Sequence, residues 1–131
     1  MTTEVMAWKR LVAAAATTDP SAPLQLESFG AANQIIGYRI YYMLQFAKRA
    51  GLTHVSLLTD GGFWIDEATD WLIESGVDEI VLVAANGQLA GPLAERVRSL
   101  AARGPHVPSV TVQAAVHRST VKASWSGVRD A

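Results

Sequence analysis

The hydrophobic residues of this chain follow two spacings, and the two spacings alternate along its length. Apolar residues three and four positions apart, the spacing of one helix face, recur in four segments. Short apolar runs, the first alternating with polar residues, fall between these segments and indicate strands. The predicted helices cover residues 4–16, 35–49, 66–75 and 92–103, and the predicted strands cover 24–29, 54–59, 79–85 and 109–116.

Glycines and a capping residue mark the ends of these segments. Gly51, Gly76 and Gly104 each follow a predicted helix where a left-handed residue would stop it, and Asp66 is expected to cap the third helix. Short, glycine-stopped connections between alternating helices and strands indicate right-handed crossovers. We therefore predict an α/β fold with a parallel four-stranded sheet and alternating helices. The third strand is apolar on both faces, as a buried parallel strand is.

Length and composition agree with one such domain. The chain has 131 residues, 50% of them hydrophobic, and a formal net charge of −1. We expect a single domain over residues 1–116 and a weakly structured or partner-ordered tail over 117–131. The near-neutral charge argues against nucleic acid as a partner. The apolar runs are too short to span a bilayer and the start lacks the basic region of a signal peptide, so we expect a cytoplasmic protein with no membrane partner.

The chain contains no cysteine, which excludes disulfides, a thiolate nucleophile and centres of zinc or iron–sulfur held by cysteine. Histidine offers no substitute, because His54, His106 and His117 lack the spacing of metal ligands. The segment SWSG at 124–127 lacks the first glycine of the G-x-S-x-G nucleophile turn. No catalytic residue, metal site or cofactor is predicted, and the pattern favours a protein that is not an enzyme.

The segment FAKRAGLTHVSLLTDGGFWIDEATDWLIESGVDEIVLVAANG, residues 46–87, resembles the middle of the radical S-adenosylmethionine (radical SAM) core domain. The matching motifs are A-K-x-x-G before a strand, T-D-G at 59–61 where the family has T-N-G, an acidic helix cap, L-x-x-x-G-x-D-x-I, and N-G at 86–87. The order and spacing of these motifs carry the likeness, which extends over residues 5–116. It implies half of a TIM-type, partial radical SAM barrel.

The chain departs from this family in the residues that carry its chemistry. The C-x-x-x-C-x-x-C loop that holds the iron–sulfur cluster has no counterpart, and Ala31 stands where the G-G-E-P motif has its carboxylate. The resemblance therefore implies a truncated, non-catalytic relative that is not expected to bind S-adenosylmethionine. It would act by binding protein, either a second copy in a homo-oligomer or a full-length radical SAM-type enzyme. The four strands could form an open sheet with helices on both faces, or pair an edge with such a partner.

The strand ends suggest an alternative function, the binding or sensing of a small molecule. In parallel α/β proteins ligands bind where the strands end. Polar side chains there could hold a nucleoside- or carboxylate-bearing ligand, and glycines would permit its close approach. The candidate ligand-binding residues are Ser28, Gly30, Thr59, Asp60, Gly61, Asn86 and Gly87. The other interpretation is that the D-G and N-G dipeptides are ordinary turn residues.

Four aromatic residues are candidates for partner binding. Phe63 and Trp64 follow the second strand, and they would anchor a partner if they faced solvent or join the core if they packed against the next helix. Tyr38 and Tyr42 lie four residues apart on the second helix and are expected on the same side. They form either an interaction surface or the half-buried rim of an amphipathic helix.

Overall fold

A parallel sheet with alternating helices forms the centre of the protein, which confirms the predicted α/β fold. The computed structural model describes residues 3–30, 34–84, 87–89 and 91–114, and the tail predicted over 117–131 lies outside them. The helices are α1 (Thr3–Thr18), α2 (Gln34–Arg49), α3 (Ala68–Ser75) and α4 (Gly91–Ala101). The strands are β1 (Leu24–Ser28), β2 (Val55–Thr59), β3 (Glu79–Ala84) and β4 (Ser109–Ala114).

The strands pair in chain order, β1-β2-β3-β4, and all run in the same direction. Right-handed crossovers between successive parallel strands place every connecting helix on the same side of a sheet. Each helix here contacts the next one in the chain, α1 with α2, α2 with α3 and α3 with α4. The described chain is thus a row of α/β units with its helices on one face, and the arrangement with helices on both faces is not the one formed.

The hydrophobic core lies between this layer of helices and the sheet face beneath it, the helix face. In β1, Leu24 and Leu26 point to the helix face and are 0% and 4% exposed. On the helical side Trp8 is 1% exposed, and its Nε1 donates a hydrogen bond to the Met43 carbonyl oxygen at 2.7 Å. Burying side chains of this size contributes about 1.5–3 kcal/mol each. Burial of alternate residues in β1 therefore fixes which of its faces meets the helices, and the strand register extends this assignment to β2, β3 and β4.

Asp78 joins three elements where the strands begin. Its Oδ2 accepts hydrogen bonds from the backbone N–H of Val55 at 2.7 Å and from the Nζ of Lys48 at 2.9 Å. Its backbone N–H donates to the Val55 carbonyl oxygen at 2.8 Å, and its carbonyl oxygen accepts from the N–H of Ser109 at 3.1 Å. The last turn of α2 and the first residues of β2 and β4 are thereby aligned with the start of β3.

The start of α3 differs from the prediction. Glu67 occupies the cap position and makes no side-chain capping bond, so the prediction that Asp66 caps this helix is wrong. The Oδ1 of Asp66 instead accepts a hydrogen bond from the Nε of Arg96 at 3.3 Å, and the Nη1 of the same arginine donates to the Trp64 carbonyl oxygen. A charged partner on α4 thus takes the carboxylate that would have capped α3. The end of α3 is as predicted, with Gly76 left-handed at φ 80°.

Candidate functional site

The carboxyl ends of the strands hold the predicted ligand-binding residues that the structure describes. Ser28 ends β1 and is half-buried, whereas Thr59 ends β2 and is fully buried at 0% exposed. Asp60 follows Thr59 and is exposed, and Gly87 follows β3 with a φ of 70°. Asn86 lies outside the described residues. The side chains available at this edge are therefore those of Ser28 and of the turn after β2.

Thr59 and Asp60 make hydrogen bonds inside their own turn. The Oγ1 of Thr59 accepts from the N–H of Gly61 at 3.0 Å, and the Oδ1 of Asp60 accepts from the N–H of Gly62 at 2.9 Å. Side chains that accept from a backbone N–H two residues ahead are typical of tight turns. These bonds occupy part of the hydrogen-bonding capacity that a ligand at this edge would need.

Close packing between loops accounts for two of the glycines at this edge. A Cβ atom on Gly62 would lie 1.8 Å from the carbonyl oxygen of Gly30. A Cβ atom on Gly61 would lie 2.7 Å from the Cδ2 of Leu93 on α4, and Gly61 is also left-handed at φ 81°. The close backbone approach predicted for a ligand is made here by a neighbouring loop and by a side chain of α4.

Phe63 and Trp64 lie in the hydrophobic core. They are 2% and 0% exposed, and their rings stack with centroids 6.3 Å apart. The Nε1 of Trp64 donates to the Oγ1 of Thr69 at 2.9 Å, so the buried indole has a polar partner. The pair therefore packs against α3, and the proposed solvent-facing anchor does not correspond to the position of these two side chains.

The rings of Tyr38 and Tyr42 lean toward different neighbouring helices. Tyr38 is 56% exposed, and its ring centroid lies 5.6 Å from that of Tyr41 and 5.8 Å from that of Trp71 on α3. Tyr42 faces α1, where the Nζ of Lys9 lies 5.4 Å from its ring centroid. Each tyrosine fills a different groove between neighbouring helices.

The second candidate surface is the side of the sheet opposite the helices, which we call the open face. No described helix covers it. Val81 shows that the two faces are separate. It is 7% exposed, yet it lies outside the core cluster that contains its chain neighbours Ile80 and Leu82. Side chains alternate between the two faces of a strand, so the strand register assigns ten residues to this face. They are Gln25, Glu27, Ser56, Leu58, Glu79, Val81, Val83, Ser109, Thr111 and Gln113.

A row across the open face has an apolar centre and polar ends. Glu27, Leu58, Val81 and Thr111 stand opposite one another on β1, β2, β3 and β4. The apolar centre is continued along β3 by Val83, which is half-buried. The open face therefore offers an apolar strip over its two central strands and polar side chains over its two outer ones.

Hydrogen bonds and charge complete the description of the open face. The Oγ1 of Thr111 donates to the Oε2 of Glu79 at 3.0 Å, and the Nε2 of Gln25 donates to the Oγ of Ser56 at 3.5 Å. Glu27 and Glu79 are its charged residues, and none of its ten residues is lysine or arginine. The open face therefore carries negative charge.

Comparison with known proteins leaves this surface without a relative to explain it. No family model, curated protein or solved structure matches the chain significantly. The likeness to the radical SAM core accordingly rests on the motifs within residues 46–87. Across the described ranges, no three His, Asp or Glu side chains gather closely enough to hold a metal ion. None of the helices in those ranges is long and apolar enough to cross a membrane.

The sequence prediction did not find the open face, although one signal for it was present. Gln25 and Glu27 alternate with Leu24 and Leu26 along β1, which is the pattern of a strand covered on one side. The apolar run of β3 indicated the opposite, a strand buried on both faces. Val81 is buried, at 7% exposed, as that run indicated, and the half-buried Leu58 was not proposed as a surface residue.

Proposed function

We propose that this protein acts by binding another protein through the open face of its sheet. The observation that supports the proposal most strongly is the one-sided packing of the four described helices. All-parallel sheets are almost always covered on both faces, and the described helices leave Leu58 and Val83 of the open face half-buried. A protein that packs against the open face would supply the missing second layer.

The layout of the open face suits a protein partner. Leu58, Val81 and Val83 form an apolar strip over the central strands, and Glu27 and Thr111 belong to the polar margin. Protein interfaces have an apolar centre within a polar rim. Small-molecule sites, by contrast, are concave and bury most of their ligand. A sheet surface of four strands is broad, so it is better matched to a macromolecule.

The alternative of a small-molecule site at the strand ends has weaker support. Thr59 and Asp60 already accept hydrogen bonds from the backbone of their own turn. Gly61 is required by its left-handed backbone, at φ 81°, and Gly62 by its contact with the backbone of Gly30. These residues have a structural explanation that involves no ligand.

The proposal extends to the origin of the chain. We place it as a truncated, non-catalytic relative of the radical SAM core, acting on a second copy of itself or on a full-length enzyme of that kind. The strand order and the one-sided helices are compatible with half of a barrel of parallel strands and outer helices. The missing cysteines mean that a cluster would have to be supplied by the partner.

Site-specific photo-cross-linking tests the open face directly. A benzoylphenylalanine replaces Leu58 on the open face in one variant and Met6, which is 46% exposed on α1, in the matched control. On irradiation in the native cells, we expect the Leu58 variant to give one adduct of defined mass whose partner is identified by mass spectrometry. The Met6 variant should give no such adduct, because it lies on the helical side of the molecule.

Competition distinguishes specific binding from chance contact. Excess wild-type protein should suppress an adduct with a different protein and should itself enter an adduct between two copies, whereas excess Leu58→Glu protein, shown to be folded by circular dichroism, should do neither. The proposal fails if position 58 gives no adduct, or if Met6 gives the same set of adducts as position 58.

A further inference from the structure

The two ends of the row of strands are not alike. At the first end, Leu24 and Leu26 of β1 are 0% and 4% exposed, although β1 is the outermost strand on that side. They share a core cluster with α1, which precedes β1 in the chain and seals its helix face. We call α1 and the outer edge of β1 the α1 end of the molecule.

At the other end, the equivalent side chains of β4 are open to solvent. On its helix face Val110 is half-buried, Val112 is 36% exposed and Ala114 is exposed. Among the described elements β4 has α4 before it and no helix after it, and it pairs with β3 alone. We call β4 and the adjoining side of α4 the β4 end. Within the ranges that the structure describes, the β4 end has no further strand and no overlying helix, and the α1 end consists of those two elements.

The helix sides at the two ends are also matched in shape. Lys9 of α1 faces α2, because its Nζ lies 5.0 Å from the centroid of the Phe46 ring. By helical periodicity Ala7, Leu11 and Ala14 lie on the opposite side of α1, away from α2. Ala7 and Ala14 are exposed. A helix from another chain could approach this side closely, because alanine adds little bulk.

The outer side of α4 has the same character. Arg96 and Arg103 face α3, where they pair with Asp66 and Asp70. The periodicity of the helix places Ala94 and Ala101 on the side away from α3. The outward side of each terminal helix therefore carries two alanines, beside Leu11 on α1 and Arg98 on α4.

We propose that the partner is a second copy of this chain, bound head to tail, with the β4 end of each copy joined to the α1 end of the other. This inference rests on the proposed function and names its partner: the two open faces would face each other across the interior of the ring, and the strand edges would add two junctions. In each junction β1 of one copy pairs in parallel with β4 of the other, and α1 covers Val112. Two such junctions close a ring of eight parallel strands, a number at which barrels close with an interior that side chains can fill. Closure leaves no strand edge exposed.

Light scattering with a matched pair of variants tests the junction. Val112→Lys places a charge on the β4 end. Met6→Lys, the control, places the same charge at a comparably exposed apolar position of α1. Met6 lies on a side of α1 that the junction does not use. We expect wild type and Met6→Lys to have twice the 14.0 kDa mass of one chain. Val112→Lys should have half the wild-type mass, with an unchanged circular dichroism spectrum.

Because the chain has no cysteine, cross-linking between introduced cysteines can test how the two copies are oriented in the dimer. This test does not depend on whether Val112→Lys folds. Single-cysteine variants Val112→Cys and Ala14→Cys are mixed and treated with a short bis-maleimide. The mixture should give covalent dimers joining the two variants, and neither variant alone should cross-link to itself. Replacing Ala14→Cys with Met6→Cys in the mixture should lower the yield severalfold.

Three results would overturn the head-to-tail dimer. The first is a wild-type mass of one chain at every concentration, which is also expected if the chain's own residues 115–131 cover Val112. The second is a Val112→Cys variant that cross-links to itself. The third is a mixture of the two cysteine variants that gives no mixed dimer. A protein of single-chain mass that still cross-links a different protein through position 58 would refute the second copy as partner and leave the proposed function standing.

Discussion

At the scale of single residues, Asp78 shows how one carboxylate can set the alignment of a parallel sheet. Its side chain bonds both the backbone N–H of Val55 and the ammonium group of Lys48. A hydrogen bond to a charged group contributes about 1.5–3 kcal/mol, whereas a partly exposed ion pair contributes about 0–1 kcal/mol. The bond to the β2 backbone should therefore matter more than the ion pair.

Substitutions at position 78 separate the two bonds. Asp78→Ala removes both and should lower the free energy of unfolding by about 2–4 kcal/mol. Asp78→Asn keeps an oxygen for the Val55 N–H and should cost about 1 kcal/mol, similar to Lys48→Met. Urea unfolding followed by tryptophan fluorescence measures all three. Equal losses for the alanine and asparagine variants would show that the charge, and not the backbone bond, carries the effect.

Two glycines at the strand ends are required for different reasons. Gly62 has no room for a side chain, because its Cβ would meet the Gly30 carbonyl oxygen at 1.8 Å. Gly30 has space around it but adopts a φ of 127°. Gly62→Ala should therefore cost about 3 kcal/mol, as a clash in a packed region does, and Gly30→Ala only about 1 kcal/mol for its backbone conformation. Urea unfolding of the two variants gives this order, and a reversed order would contradict the loop contact.

The residues that could be predicted from sequence are those whose role depends on the backbone alone. Gly76 ends α3 as predicted, because a left-handed residue after a helix is a local requirement. Asp66 was wrongly predicted as a cap, because its partner Arg96 is thirty residues away in the chain. Phe63 and Trp64 could be placed either in the core or on the surface, since burial depends on the position of α3.

At the scale of elements, Arg96 of α4 and Arg103, which follows α4, attach this helix to α3 and the loop before it. Arg96 bonds the Trp64 carbonyl oxygen and Asp66, whereas Arg103 pairs with Asp70 alone. A backbone carbonyl that loses its donor in a part-buried position costs more than a broken surface pair. The two arginines should therefore contribute unequally to the docking of α4.

Alanine substitution of each arginine tests this difference. Arg96→Ala should lower the free energy of unfolding by about 1–3 kcal/mol, and Arg103→Ala by less than about 1 kcal/mol. Repeating the urea titration in high salt should abolish the smaller effect, because exposed charges are screened. The idea fails if the Arg103 variant is the less stable of the two.

The pattern predicted the eight elements and their parallel order, because spacing and glycine stops are local signals. It did not predict that all four described helices lie on one face. That arrangement follows from the neighbour order β1-β2-β3-β4, which depends on which strands pair and is not encoded in any single segment. The apolar run of β3 indicated two buried faces, and burial agrees in the middle of the strand, where Ile80, Val81 and Leu82 are 0%, 7% and 0% exposed.

At the scale of the whole molecule, association couples stability to concentration. If the head-to-tail dimer is the folded state, mass action stabilises it as the protein concentration rises. The melting temperature of the wild type should then increase by roughly 3 °C for each tenfold increase in concentration. Differential scanning calorimetry over a hundredfold range of protein concentration measures this change in melting temperature. Val112→Lys serves as the control, and its melting temperature should stay constant; a wild-type value that does not move would contradict the dimer.

The order of strand pairing has a consequence for how the protein folds while it is being translated. Since β2 pairs with the strand made just before it, and β3 and β4 do likewise, no part of the described sheet waits for a distant, later segment to emerge. Domains fold N-terminal first during translation, and synthesis is slow compared with the formation of single elements. Nascent chains stalled after β2, β3 and β4 should therefore gain protease resistance stepwise, with one α/β unit added at a time.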